Sequence, residues 1–306
     1  LQALSGAACA TFLPQAFLSY AIGGVFHLEF FQRIGDLAGS LSGIAVGILT
    51  GLKLGISPVF AVIIGLVLHD QKLLPAFIAA YLVSFLIKLI EKKVPEGLDL
   101  IVVILVAPAL AFGIGGLISP GVMAVLRQIG GAITAVGDNN PYALAIILGL
   151  IIPVVGMTPL SSMVLTSLLG LTGVPMAIGA LTTTGSSFVN FMMFRALKIG
   201  GLGKADTIAK YPIQLYGANA IVGMFTATIV TIAGLVINVT GMATPIAGAI
   251  VLFGFNKPIP SLITIAAVIV TAIILGWILG KIMSKINFKK LSDKLPEGKA
   301  EPSKAN

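Results

Sequence analysis

Long apolar runs separated by short polar turns dominate the chain. Stretches at 4–26, 36–52, 55–70, 73–90, 99–118, 142–157, 176–194, 215–238 and 259–283 approach the ~20 residues a helix needs to cross the hydrocarbon core of a bilayer. Their apolar residues are continuous and do not alternate, which disfavours the strands of a membrane β-barrel. Three further segments, 120–137, 158–174 and 241–256, are apolar but short or interrupted by Gly and Pro, the pattern of re-entrant or discontinuous helix. The pattern predicts an all-α, polytopic membrane protein with about 9–10 transmembrane helices plus re-entrant or broken helical hairpins. Residues 1–285 read as a single integral membrane domain, and 286–306 as a disordered cytoplasmic tail rich in Lys, Pro and Glu.

Composition narrows the class further. Only 10% of the 306 residues are charged and 57% are hydrophobic, whereas a soluble domain needs about 25% charge to wet its surface. A soluble enzyme is therefore excluded. The net charge of +8 sits in short clusters between apolar runs, without interleaved aromatics, which points to membrane orientation and not to nucleic acid. One cluster is Lys88, Lys92 and Lys93, a second is Arg195, Lys198, Lys204 and Lys210, and the tail from Lys281 holds seven Lys against three acids. Placing all of them in the cytoplasm, by the positive-inside rule, puts both termini there too. Leu4–Phe26 reads as a span and not a signal peptide, since Pro14 and Gln15 interrupt it and no charged leader precedes it; native sequence before Leu1 is expected.

The informative polar residues cluster between 137 and 190. Gly137-Asp138-Asn139-Asn140-Pro141 is a polar turn between apolar runs, Gly156-Met157-Thr158-Pro159-Leu160-Ser161-Ser162 follows, and Thr182 to Ser187 and Asn190 then sit inside a span. Such hydroxyls also let membrane helices pack closely, but their density here favours a polar cavity. Pro159 has no N–H and drives Thr158 out of the α region, so with Gly156 it predicts an unwound backbone. In lipid that is tolerated only where the backbone is buried in protein or lines water. A related string, Gly234-Leu235-Val236-Ile237-Asn238-Val239-Thr240-Gly241-Met242-Ala243-Thr244-Pro245, raises the prospect of an internal repeat with a second break at Gly241–Pro245.

Among ionisable groups, His69 and Asp70 close the third run and are candidates for a pathway or proton-coupling role, with a plain loop as the alternative. His27, Glu29 and Arg33 fit an interfacial loop. Two histidines and one cysteine, Cys9, give no metal-ligand pattern, and no phosphate-cradling loop or nucleophile elbow occurs. No cofactor is implied.

From Asp138-Asn139-Asn140-Pro141 through Gly156-Met157-Thr158-Pro159-Leu160-Ser161-Ser162 to Gly170-Leu171-Thr172-Gly173, the chain resembles the enzyme IIC-like membrane proteins grouped with the perfringolysin O regulator, relatives of the membrane subunits of the bacterial phosphotransferase system. The resemblance implies a homodimer in the bacterial cytoplasmic membrane, re-entrant hairpins around a central sugar site, an elevator-type motion, and phosphocarrier IIA and IIB partners on other polypeptides. Sugar subunits of this superfamily carry a Gly-Ile-Thr-Glu-Pro type motif. The comparable string here, Gly156-Met157-Thr158-Pro159, lacks the acid, so no residue inherits that glutamate's role.

These features together predict a subunit that translocates a small polar solute, a sugar or a sugar-like acid. Asp138, Asn139, Asn140, Thr158, Ser161, Ser162, Thr184 and Asn190 are the expected lining, since amides and hydroxyls both donate and accept. Gly156, Pro159, Gly241 and Pro245 would shape the unwound backbone. The alternative is a membrane-embedded sensor that binds such a solute without moving it; an ion channel lacks a ring of acids.

Overall fold

The computed structural model describes residues 1–95, 97–198 and 211–285. The expected tail 286–306 and Lys204 and Lys210 of the second basic cluster lie outside them. The described residues form helices and no strands, with one isolated β-bridge between Gly173 and Ile237. In chain order they form α1 (Gln2–Pro14), a π-helical continuation (Gln15–Gly24), α2 (Glu29–Ser40), α3 (Ser42–Lys53), α4 (Pro58–Val67), α5 (Leu73–Lys93), α6 (Leu98–Asn139), α7 (Pro141–Gly156), α8 (Ser162–Leu168), α9 (Gly173–Ala196), then Pro212–Ala233 as α10, Pro245–Phe255 as α11 and Pro258–Lys285 as α12. The all-α polytopic class read from the apolar runs is what the chain adopts.

Individual runs depart from the sequence expectation. Four described helices, α5, α6, α10 and α12, are long and apolar enough to cross a membrane, and the pair α2 and α3, bent by 48° at Leu41, makes a fifth span if counted as one. Of the others, α4, α7 and α11 have 10 to 16 residues. The 24-residue α9 has the length but carries Thr182–Ser187 at its centre. Residues 120–137, expected to be re-entrant, instead continue the run 99–118 as one helix of 42 residues, about 63 Å long. Pro108 and Pro120 lie inside it; each removes one backbone bond, a loss that membrane helices tolerate. Pro14 has a larger effect, because the π-helical turns begin at the next residue.

One large buried cluster joins Leu4, Ile64, Leu68 and Ile87 to Ile152, Met176 and Leu181, and a smaller one holds Leu215 with Val189 and Met193, between α9 and α10. Buried apolar area drives little association inside lipid, so close backbone approach must do it. Gly149 of α7 and Gly223 of α10 face each other directly, and a Cβ on either would run into the carbonyl oxygen of the other.

Helix directions define two ends of the molecule. Gly280 lies against Ala196, which brings the last turns of α9 and α12 together, with Arg195, Lys281 and Lys285. Gly6 faces Leu49 and the Ser57 amide reaches Glu91 at 3.4 Å, so the start of α1, the α3–α4 turn and the end of α5 also cluster. The opposite end holds Asn140, Gly173 and Gly234. Gly223→Ala is expected to lower the unfolding midpoint in detergent, since forcing a methyl into a filled helix crossing costs about 1–3 kcal/mol. An unchanged midpoint would mean that α7 and α10 are not in this register.

Candidate functional site

The first break forms where α7 stops at Gly156. Thr158 Oγ donates to the Val155 carbonyl at 2.7 Å and accepts from the Leu160 amide at 3.2 Å, closing the helix end before Pro159. Ser161 then adopts φ +70°, ψ 139°, a conformation L-residues avoid, and its Oγ caps α8 by accepting from the Met163 amide. Strain of this kind persists only where the surroundings impose it.

The second break follows α10. Gly234 ends that helix in the left-handed conformation, and helix resumes only at Pro245, capped by Thr244 Oγ, which accepts from the Gly248 amide. Asn256 pins the intervening chain with both ends of its amide: Oδ1 accepts from the Val236 N–H at 3.0 Å and Nδ2 donates to the Val236 carbonyl at 2.7 Å. The string shared by 149–157 and 234–242 is helical in the first copy and irregular in the second. It is therefore not a structural repeat. Gly149 is locked in a helix crossing, whereas Gly234 is a helix stop.

The two breaks bond to each other. Ser162 Oγ donates to the Ala243 carbonyl at 2.8 Å and Thr240 Oγ donates to the Thr166 carbonyl at 2.7 Å. Gly173 and Ile237 exchange both backbone bonds at 2.8 and 3.0 Å. Residues 162–173 and 237–243 thus run antiparallel, each satisfying peptide and hydroxyl groups the other exposes.

Between them and α1 lies a cavity of about 490 Å³. Thr158, Ser161, Ser162, Thr183, Ser186, Ser187, Asn190 and Thr244 supply its polar lining, and Leu13, Phe17, Met157 and Ile246 its apolar wall. Cys9 of α1 also borders it, and among the described residues no carboxylate, ammonium, guanidinium or imidazole group lines it. Pro245, Ile246 and Ala247, the first turn of α11, also border it, and amides in a first helical turn have no intrahelical acceptor.

Of the residues singled out from sequence, Gly156, Thr158, Ser161, Ser162, Asn190 and Pro245 meet at this cavity. Pro159 lies in the turn beside it. Thr184 stands one residue from the lining Thr183 and turns away, donating to the Ala180 and Pro245 carbonyls. Gly241 has φ +78° and sits with Phe12 against it. Asp138, Asn139 and Asn140 are not brought here: all are exposed at the far end of α7, about 24 Å from Gly156 at 1.5 Å per residue. Asn139 bonds back to Ala135, and Asn140 caps α7 by accepting from the Ala143 amide. His69 and Asp70 form an exposed pair, 2.9 Å apart, on a second cavity of about 470 Å³. Among the described residues no group of three His, Cys, Asp or Glu could hold a metal ion.

Sequence reasoning missed Asn219. Buried at 1% exposure, it accepts from Ser186 Oγ and donates to Asn190 Oδ1 at 2.8 Å and the Leu215 carbonyl at 2.8 Å, with Met157 Sδ at 3.3 Å. With its Oδ1 taken by Asn219, Asn190 is left to offer the cavity its own amide N–H groups. An amide in the otherwise apolar stretch 217–223 was the available signal.

The model of a family described as "Phosphotransferase system, EIIC" matches residues 1–294 of the chain. No curated protein and no solved structure matches it.

Ser161→Gly is expected to raise the unfolding midpoint in detergent by a few degrees, because Gly removes about 1–3 kcal/mol of strain and costs only a few tenths as a cap. Ser161→Ala keeps the strain, loses the cap and lowers the midpoint. The opposite order would place Ser161 outside this conformation.

Proposed function

Since the chain belongs to the phosphotransferase system EIIC family, we propose that it translocates an uncharged, sugar-like solute and that the cavity of about 490 Å³ between the two breaks is its binding site. Family membership makes the chain a multi-pass membrane permease component, one that works with a substrate and with phosphocarrier partners. The solute class is our own reading. One observation carries it: among the described residues the lining offers hydroxyls, a primary amide and helix-start amides, with no ionised group. A charged solute buried there would lack a counter-ion, a heavy penalty away from water. Neutral polyols exchange their water hydrogen bonds for groups that both donate and accept.

In this reading residues 1–285 form one transport unit in the cytoplasmic membrane of a bacterium. The end carrying Arg195, Lys281 and Lys285 faces the cytoplasm by the positive-inside rule, and IIB and IIA phosphocarriers meet the protein there. The breaks around α8 and before α11 act as re-entrant hairpins. A homodimer is part of the reading as well.

Cys9, the single cysteine, reports on the cavity it lines. Neutral hexoses, amino sugars and sugar acids are to be screened for slowing its alkylation, with counterflow of the protecting sugar measured in proteoliposomes. A neutral sugar is expected to protect Cys9 and to exchange across the membrane. Asn190→Ala is expected to weaken protection at least tenfold without loss of folded protein, as for a lost hydrogen bond to a buried polar partner. Protection by sugar acids alone would overturn the solute class, and protection without counterflow would favour a sensor.

A further inference from the structure

The second cavity, about 470 Å³, is lined by Phe12, Ser40, His69, Ser167, Gly170 and Thr240, among others. It shares its dividing elements with the first. On α8, Ser161 to Met163 face the first cavity, while Ser167 and Leu168 face the second. On the irregular chain before α11, Ala243 and Thr244 face the first and Thr240 the second. Met163 and Ser167 are one helical turn apart, about 6 Å. The chain between is solid: Phe12 is 8% exposed, Val164 is fully buried and Met242 is 1% exposed. Phe12 lies so close to Gly241 that a Cβ there would stand 3.0 Å from its Cδ2, and the positive φ of Gly241 already excludes most side chains. The first cavity lies toward the Arg195 end, since α8 runs from Ser162 beside Gly156 toward Gly173 at the opposite end.

We propose that these cavities are two vestibules of a single solute path, and that the aromatic ring of Phe12, seated on the bare backbone of Gly241, is the closure between them. The inference rests on the transport reading and extends it: the second cavity becomes a binding vestibule for the same polyhydroxy solute, with Ser40, Ser167 and Thr240 as its hydroxyls. The wall must move for passage. The two cross-bonds, Ser162 to Ala243 and Thr240 to Thr166, tie α8 to the irregular chain. Those two pieces therefore shift as a unit relative to α1, whose Phe12 ring packs on Gly241.

The test is sidedness of thiol labelling in sealed vesicles of both orientations, using a membrane-impermeant methanethiosulfonate ammonium reagent on the full chain. Cys9 is expected to react only from the side bearing Arg195 and Lys285. In a Cys9→Ser background, Ser167→Cys is expected to react only from the other side. Phe12→Ala is expected to let Cys9 react from both sides, at least tenfold faster from the second than in the parent, while Phe12→Leu, which keeps the apolar bulk, stays one-sided. Labelling of Cys9 and Ser167→Cys from the same side overturns the proposal, as does parent Cys9 that reacts from both sides or from neither. If Phe12→Ala does not fold, the opposite sidedness of the two single-cysteine chains decides alone. Opposite sidedness in a protein that moves no sugar would retire the transport reading and leave the wall standing; sugar flux with same-sided labelling would do the reverse.

Discussion

A backbone that leaves the helix inside a bilayer must find partners for its peptide groups within the protein. Everything specific about this chain follows from how it meets that requirement at two places at once. Each break alone would strand several N–H and C=O groups in an apolar medium, at several kcal/mol apiece. Side by side and antiparallel, they supply one another: Ser162 to Ala243, Thr240 to Thr166, and the mutual pair of Gly173 and Ile237. Asn256 satisfies Val236 from the far side. The breaks are thus interdependent, although about seventy residues separate them in sequence.

This pairing also explains why a polar cavity sits where it does. Hydroxyls spent on cross-bonds, such as those of Ser162 and Thr240, keep only acceptor lone pairs for a guest. Those that are not spent, together with the amide of Asn190 held in place by Asn219, present donors. The proposed site is therefore assembled from residual valences of a structural solution. On the proposed reading, these neutral donors and acceptors are what would hold a polar, uncharged solute. α1 and the π-helical turns after it close the remaining wall with Cys9, Leu13 and Phe17, a contribution from the first seventeen residues to a cavity whose other lining begins more than a hundred residues later.

Proline chemistry made much of this legible. Thr158-Pro159 and Thr244-Pro245 each lack an amide donor, and helix is interrupted at both, whereas α6 continues through Pro108 and Pro120. The all-α class followed from continuous apolar runs and scant charge. Less could be read of where polar residues end up: Asp138, Asn139 and Asn140 read as one cluster with Thr158 and Ser161, yet Asn140 caps α7 and the length of that helix carries all three away from the cavity. Helix phase decides at Thr184, where one residue, or 100°, separates it from Thr183 on the cavity wall, although both hydroxyls donate to backbone carbonyls. Repeated strings at 149 and 234 also misled, because whether a Gly packs in a crossing or stops a helix is decided by its distant neighbours. The contribution of α1 and the continuity of α6 through Pro108 and Pro120 are tertiary facts with no local signature.

Amide hydrogen exchange on the full chain in lipid nanodiscs tests the pairing of the breaks most directly. Gly173 and Ile237, which bond each other, are expected to exchange slowly, while Ile246 and Ala247, first-turn amides bordering the cavity, exchange fast. Removing the Thr240 hydroxyl with Thr240→Val is expected to speed exchange across 162–168 as well as around 240. Uniform slow exchange from 141 through 173 and from 212 through 255, the signature of unbroken helices, would contradict the account.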